Sequence, residues 1–90
     1  MHLWRTIEIR GRDPNLNPFV DFGFVEIDGD RLALSSHMLH GPLWVDSEPQ
    51  AMLTFKRYYE AQGFSMLRYK VLWREGGPVD TPFDEGWEDL

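Results

Sequence analysis

The chain has 90 residues, of which 42% are apolar, no cysteine, and a net charge of −6 with neutral histidines. This length predicts one domain with a modest core, and the lack of cysteine excludes a disulfide scaffold and thiolate metal sites. We expect no signal peptide, because residues 1–10 mix charged and apolar residues without an uninterrupted hydrophobic region. We expect no transmembrane segment, because no apolar run approaches the roughly 20 residues that span a bilayer, and a cytoplasmic location is therefore the default expectation.

The first third of the chain predicts two strands separated by a loop. Residues 3–10 alternate apolar and charged side chains, and residues 11–18 contain two prolines, two asparagines and a glycine. Residues 19–28 read as the second strand. Its apolar positions change phase beside Gly23, which predicts a β-bulge there.

A tight turn follows at Asp28-Gly29-Asp30-Arg31. The register that pairs apolar residues with each other places Ile27 opposite Leu32 and Asp28 opposite Arg31. We therefore predict a hairpin whose third strand ends near Met38, followed by a connection with a short extended piece at 43–45.

Residues 46–63 are the only stretch that combines a helix start, a helical period and a helix stop. Ser47 and Gln50 have the spacing of a capping box, Pro49 suits the first turn, and Gly63 suits the end. The apolar stripe that should pack on a sheet consists of Ala51, Met52, Phe55, Tyr58 and Tyr59.

Residues 65–74 predict a fourth strand, with Arg68, Lys70 and Arg74 on one face. The order β-β-β-α-β gives an α+β fold: a four-stranded, largely antiparallel sheet with one amphipathic helix packed on one face. This single domain covers residues 1–75.

An acidic tail is predicted at 76–90. Residues 1–74 contain nine basic and nine acidic residues, whereas residues 75–90 contain six acidic residues and no basic one. The tail is rich in glycine and proline and has no regular period, so we expect it to be flexible unless it is bound or folded back.

The tail supplies most of the candidate partner-binding residues, because aromatic side chains provide buried area and acidic ones provide steering. A second group lies on the acidic edge formed by Asp21, Glu26, Asp28 and Asp30. The candidate partner-binding residues are Phe83, Asp84, Glu85, Trp87, Glu88, Asp89, Asp28 and Asp30. The alternative interpretation is that the tail only keeps the chain soluble, or lies across the basic face of the last strand.

Other kinds of site find little support in the sequence. Arg68, Lys70 and Arg74 are the candidate nucleic-acid contacts, although the chain as a whole is acidic. His37 and His40 lack further ligands at metal-binding spacing, and no catalytic motif or phosphate loop is recognisable. We therefore expect no enzyme activity, no metal and no cofactor.

The aromatic residues exceed what one buried sheet face readily holds, so some should lie on the open face or the tail and form a contact surface. We interpret the chain as a small acidic protein-binding module, an inhibitor that occupies a basic, nucleic-acid-binding surface of its target. In size and composition alone it resembles viral (phage) inhibitors of host defence, including anti-CRISPR proteins, and immunity proteins and antitoxins. The alternatives are a structural homodimer with a solubilising tail, and a nucleic-acid-binding module gated by its tail.

Overall fold

The structure, a computed structural model, describes residues 2–82 and 84–90, with side chains from Trp4 onward. This part of the chain forms seven strands and one helix. In chain order they are β1 (His2–Arg12), β2 (Pro18–Asp28), β3 (Arg31–Ser36), β4 (Leu43–Val45), α1 (Glu48–Ala61), β5 (Ser65–Arg74), β6 (Gly77–Pro78) and β7 (Glu88–Asp89).

All the strands belong to one antiparallel sheet in the order β4-β3-β2-β1-β5-β6, with β7 pairing on β5 beside β6. The α+β class is confirmed, but the predicted number of four strands is wrong. The expected extended piece at 43–45 is strand β4, and the two strands that were not expected, β6 and β7, contain two residues each, too few to show the period of two by which a strand is recognised.

The predicted hairpin register is confirmed. Ile27 pairs with Leu32 and Asp28 with Arg31, and Gly29 has a φ of +65° in the turn between them. A positive φ costs glycine little, so Gly29 suits the first of the two loop positions, Gly29-Asp30, and this two-residue turn fixes the register.

The predicted bulge at Gly23 is wrong. Gly23 pairs regularly with Ile7, and the irregularity between β1 and β2 lies instead at Leu3/Arg5. Gly23 lies in a tightly packed place, because a Cβ there would lie 3.0 Å from Cγ1 of Ile7 and 3.1 Å from Cζ of Phe55, so these side chains would have to shift to admit one. The change of apolar phase has another cause: Val20, Phe22 and Phe24 lie on the face of the sheet away from α1, whereas Val25 is buried on the face towards it.

The helix ends as predicted, whereas at its start Ser47 is the N-cap residue but the predicted capping box does not form. Among the described residues Ser47 makes no side-chain capping bond, and the amide of Gln50 instead accepts from the backbone N–H of Asp46 at 2.9 Å. At the other end Gly63 has a φ of +91°, and the N–H groups of Gly63 and Phe64 donate to Glu60 and Tyr59. This is a Schellman motif, which satisfies the last helical carbonyls.

The core lies between α1 and one face of the sheet, which we call the inner face. Ala51, Phe55 and Tyr59 are fully buried there, as the helical stripe predicted, with Met52 and Tyr58 packed at the margin. The sheet contributes Ile7, Ile9, Val25, Leu34 and Leu67, and the connection after β3 contributes Leu39. A helix of this length is stable only through such packing. The inner face of the sheet is therefore covered by α1.

Candidate protein-binding surface

The opposite side of the sheet, the outer face, carries exposed apolar side chains. Because strand residues alternate between faces, Val20, Phe22 and Phe24 of β2 all point away from the helix, and Trp44 of β4 joins them. Their exposed fractions are 52%, 45%, 39% and 45%. We call these three aromatic residues, together with Val20, the aromatic patch. The expectation that some aromatic residues lie on the open face is thus confirmed.

Trp44 is held in place by two charged residues of the hairpin. Its indole Nε1 donates to Oδ2 of Asp28 at 2.9 Å, and the guanidinium of Arg31 lies 5.4 Å from its ring centroid. The cross-strand pair Asp28–Arg31 therefore fixes one end of the aromatic patch.

The described residues of the tail lie along β5. Val79 N–H donates to the carbonyl of Leu72 at 3.0 Å, and Leu90 N–H donates to the carbonyl of Leu67 at 3.1 Å. Beside these two bonds, β6 pairs with Trp73 and Arg74 at one end of β5, and β7 pairs with Arg68 and Tyr69 towards the other end. The tail thus follows the edge strand of the sheet.

Two basic side chains of the outer face lie against the tail. Lys70 is 7% exposed, its Nζ donates to the carbonyl of Pro82 at 2.5 Å, and its aliphatic stem contacts Gly86. Arg10 donates from Nε to the carboxylate of Glu8, and its guanidinium lies 5.2 Å from the ring centroid of Trp87. The tail therefore covers the β5 side of the outer face.

The predicted partner-binding residues fall into distinct environments. Asp84, Glu85, Glu88 and Asp89 are exposed, and so is Asp30 at the hairpin turn. Trp87 is half-buried against Arg10, and Asp28 is half-buried against Trp44. Phe83 lies outside the described residues. The hairpin acids thus lie beside Trp44, whereas the tail acids lie beyond β5, on the other side of the sheet from β4.

Glu88 also takes part in an internal contact. The hydroxyl of Tyr69 donates to its Oε2 at 2.8 Å. Burial, together with this bond and the charge of Glu88, raises the pKa of Tyr69 to about 12. This carboxylate helps to hold β7 against β5.

Asp21 does not belong to the acidic edge on which the sequence placed it, because it is 5% exposed on the inner face. Its carboxylate accepts bonds from the hydroxyl of Tyr59 at 2.7 Å and from the backbone N–H groups of Phe22 and Met38. Burial first, and then the bond to Asp21, raise the pKa of Tyr59 well above its usual range. Asp21 is a structural residue that joins the sheet to the helix.

The three cations of β5 do not form one open surface. Lys70 is buried under the tail, and Arg74 lies at the end of β5 that pairs with Gly77. Arg68 lies at the other end, where it lines a groove of about 820 Å³ together with Arg10, Arg12 and Lys56. Sequence reasoning missed this basic groove, because its four basic residues come from three elements, β1, α1 and β5, and share no motif.

The described residues contain no group of three or more histidine, aspartate or glutamate side chains placed to hold a metal ion. Within residues 2–82 and 84–90, no helix is long and apolar enough to cross a membrane.

Comparison with known proteins finds no protein-family model, no curated protein and no solved structure that matches this chain.

Proposed function

We propose that this chain is a non-enzymatic module that binds a basic protein surface through the outer face of its sheet. The observation that carries the proposal is the aromatic patch, whose four large side chains are each 39–52% exposed on one side of a small domain. Contiguous exposed apolar side chains on a soluble domain are typical of contact surfaces, and aromatic residues are common binding anchors.

The charge around the patch favours a basic partner. Glu26 and Asp28 continue the outer face of β2 beyond Phe24, and the tail, which covers the β5 side of that face, carries the exposed acids Asp84 and Glu85. An apolar centre with a negative border complements a partner whose apolar centre is bordered by lysine and arginine.

The same charges disfavour a second copy of this chain as the occupant. Two copies would bring together surfaces that each carry acidic borders, on chains with a net charge of −6 each. Like charges brought together at an interface cost binding energy. A homodimer through the outer face is therefore the weaker alternative.

The sharper form of the proposal is a stoichiometric inhibitor that occupies the nucleic-acid-binding surface of its target. Residues 75–90 contain six carboxylates and no basic residue, and those of Asp80, Asp84, Glu85, Glu88 and Asp89 are on exposed side chains of the tail. Clustered carboxylates can replace phosphates as partners of lysine and arginine. The tail acids would provide this charge while the aromatic patch provides the buried area.

A second function is suggested by the burial of Lys70, which is the specific observation in its favour. A tail that covers a basic side chain of the sheet would compete with nucleic acid for it. On this hypothesis the chain gains affinity for nucleic acid when the tail is displaced.

The test uses the full chain as bait for a lysate, beside a Phe22→Ser/Phe24→Ser variant and a Leu53→Ser control. Leu53 is 43% exposed on the helix, so its substitution removes a similar apolar surface away from the patch. We expect a basic protein to be captured by the wild type and by the Leu53 variant, to be released by high salt, and to be lost with the double variant.

The captured protein is then purified and titrated with this chain in the presence of its nucleic acid. Displacement of the nucleic acid at a one-to-one ratio supports the inhibitor. Equal capture by all three baits contradicts the patch as the binding surface, and a wild-type chain that sediments as a dimer through this face supports the homodimer instead.

A further inference from the structure

We propose that the basic groove binds a compact, phosphate-bearing ligand. The groove lies where β1 ends and β5 begins, on the rim of the sheet. Its volume of about 820 Å³ falls within the range of small-molecule clefts. Four of the nine basic residues of the chain line it, although the chain as a whole is acidic.

A β-bulge builds the groove. Arg10 pairs with Arg68 but Arg12 pairs with Ser65, so two residues of β5 lie opposite Gly11. One of them, Met66, has a φ of +53° and is 76% exposed. A Cβ at position 11 would lie 2.6 Å from the carbonyl oxygen of Ser65, so this close approach of the two strands requires glycine.

Three of the four cations are available to a ligand. Arg10 is engaged by Glu8 and Trp87. Arg12, Lys56 and Arg68 form no ion pair with another described residue, although Glu60 and Asp89 also line the groove. Two guanidinium groups and one ammonium group around one concavity suit an anion with several oxygen atoms, because arginine binds such groups through two parallel bonds.

The charge of the whole chain favours a compact anion over a long one. Charges separated by more than about 8–10 Å are largely screened at physiological salt, so a ligand inside the groove experiences mainly the local cations. A nucleic acid that extended beyond the groove would meet a chain with a net charge of −6. Its affinity depends on many phosphate contacts, which this surface does not offer.

Apolar side chains line the groove beside the cations. Phe19 is half-buried and Leu67 is 8% exposed, and both contribute to its wall. Such a wall gives an organic phosphate a surface for its non-polar part, as in most small-molecule sites. The groove therefore fits a phosphate ester or a nucleotide as well as an inorganic polyphosphate.

The test titrates the full chain with tripolyphosphate and, separately, with ATP, followed by calorimetry and by amide chemical shifts at low salt. Arg12→Ser, Lys56→Ser and Arg68→Ser are each expected to weaken binding by about three- to tenfold. Arg74→Ser and Arg57→Ser are the controls, since they remove a cation from the same strand and the same helix outside the groove. We expect these controls to change the affinity by less than about twofold.

The proposal is supported if the chemical-shift changes are confined to residues of the groove and the three groove variants lose more affinity than the two controls. Tighter binding of ATP than of tripolyphosphate then identifies an organic phosphate, and equal binding identifies the phosphates alone. Equal losses in the controls and the groove variants contradict the proposal, as does no binding at millimolar probe. Tighter binding of single-stranded DNA than of either probe, with a steep dependence on salt, contradicts the compact ligand.

Discussion

The hydroxyl of Tyr59 is a polar group inside an apolar core, and its position explains how the helix is fixed. It donates to Asp21 of β2 at 2.7 Å and lies 3.0 Å from the hydroxyl of Ser36 on β3. Tyr58, one position earlier, donates to the carbonyl of Met38 in the connection after β3. Because apolar packing has little directional preference, these bonds fix the position of α1 over the two strands.

The Tyr59→Phe variant tests this role. The ring remains, but Asp21 keeps its burial and loses one of its hydrogen-bond donors, so we expect the free energy of unfolding to fall by about 1–3 kcal/mol. Urea unfolding followed by circular dichroism measures the change. Tyr69→Phe is the matched control: it removes a hydroxyl bonded to exposed Glu88 and should cost less than about 1 kcal/mol. Equal losses in the two variants would contradict a special role for the Asp21–Tyr59 contact.

Single-residue roles of this kind were largely beyond sequence reasoning. The period of the helix correctly assigned Tyr59 to the core. Asp21, however, was placed on an exposed acidic edge, because an isolated aspartate in a strand normally faces water. Its burial depends on a hydroxyl 38 residues away, and no local pattern contains that pairing.

Among the elements, the tail has the largest effect on the outer face of the sheet, because it covers basic side chains there. It contacts β5 through backbone bonds at Leu72 and Leu67, through the side chain of Lys70, and through Trp87 on Arg10. Its strands β6 and β7 contain only two residues each, so side-chain contacts must supply much of its attachment.

The Trp87→Ala variant tests that attachment. Removing the ring from Arg10 should loosen the tail, so the amide protons of Val79 and Leu90 should exchange with solvent several-fold faster. Amides in the middle of β1 should keep their protection. Leu53→Ala serves as the control, because it removes an exposed apolar side chain remote from the tail.

Unchanged exchange at Val79 and Leu90 would show that Trp87 does not hold the tail. If exchange increases and the same variant also binds single-stranded DNA more tightly than the wild type, the gated nucleic-acid hypothesis gains support. Faster exchange without such a gain counts against gating.

The elements that the sequence predicted well are those with local signals. Pro49 and Gly63 lie at the two ends of the helix, and the Gly29-Asp30 turn fixes the hairpin, so α1, β2 and β3 were predicted to within a few residues. β6 and β7 have no such signal, since pairing with β5 alone makes them strands. The aromatic patch was expected only as a surplus of aromatic residues, whereas the basic groove depends on a bulge and on three separate elements.

On the scale of the whole molecule, the two tyrosines with raised pKa values link stability to alkaline pH. A phenol whose pKa is higher in the folded state than its unfolded value of 10.0 stabilises the fold below pH 10, where both states keep the proton. Above pH 10 the unfolded chain loses this proton first, and the contribution disappears as the pH rises through the folded-state value.

We therefore expect the free energy of unfolding to be nearly constant from neutral pH to about pH 9.5 and to fall beyond it. By about pH 11, the deprotonation of Tyr59 in the unfolded chain should have lowered the free energy of unfolding by about 1 kcal/mol. Urea unfolding across this range measures it. The Tyr59→Phe variant should show a shallower decline than the wild type, and an equally steep decline in both would contradict the assignment.

The two borders of the sheet have a consequence for the molecule in concentrated solution. An open strand at a border offers unpaired N–H and C=O groups on which further chains can stack into fibrils. One border here ends in β4, which has three residues and follows Pro42, and the other is shielded at both ends by β6 and β7. The chain thus leaves the apolar side chains of its outer face exposed while offering other molecules little unpaired backbone for strand pairing.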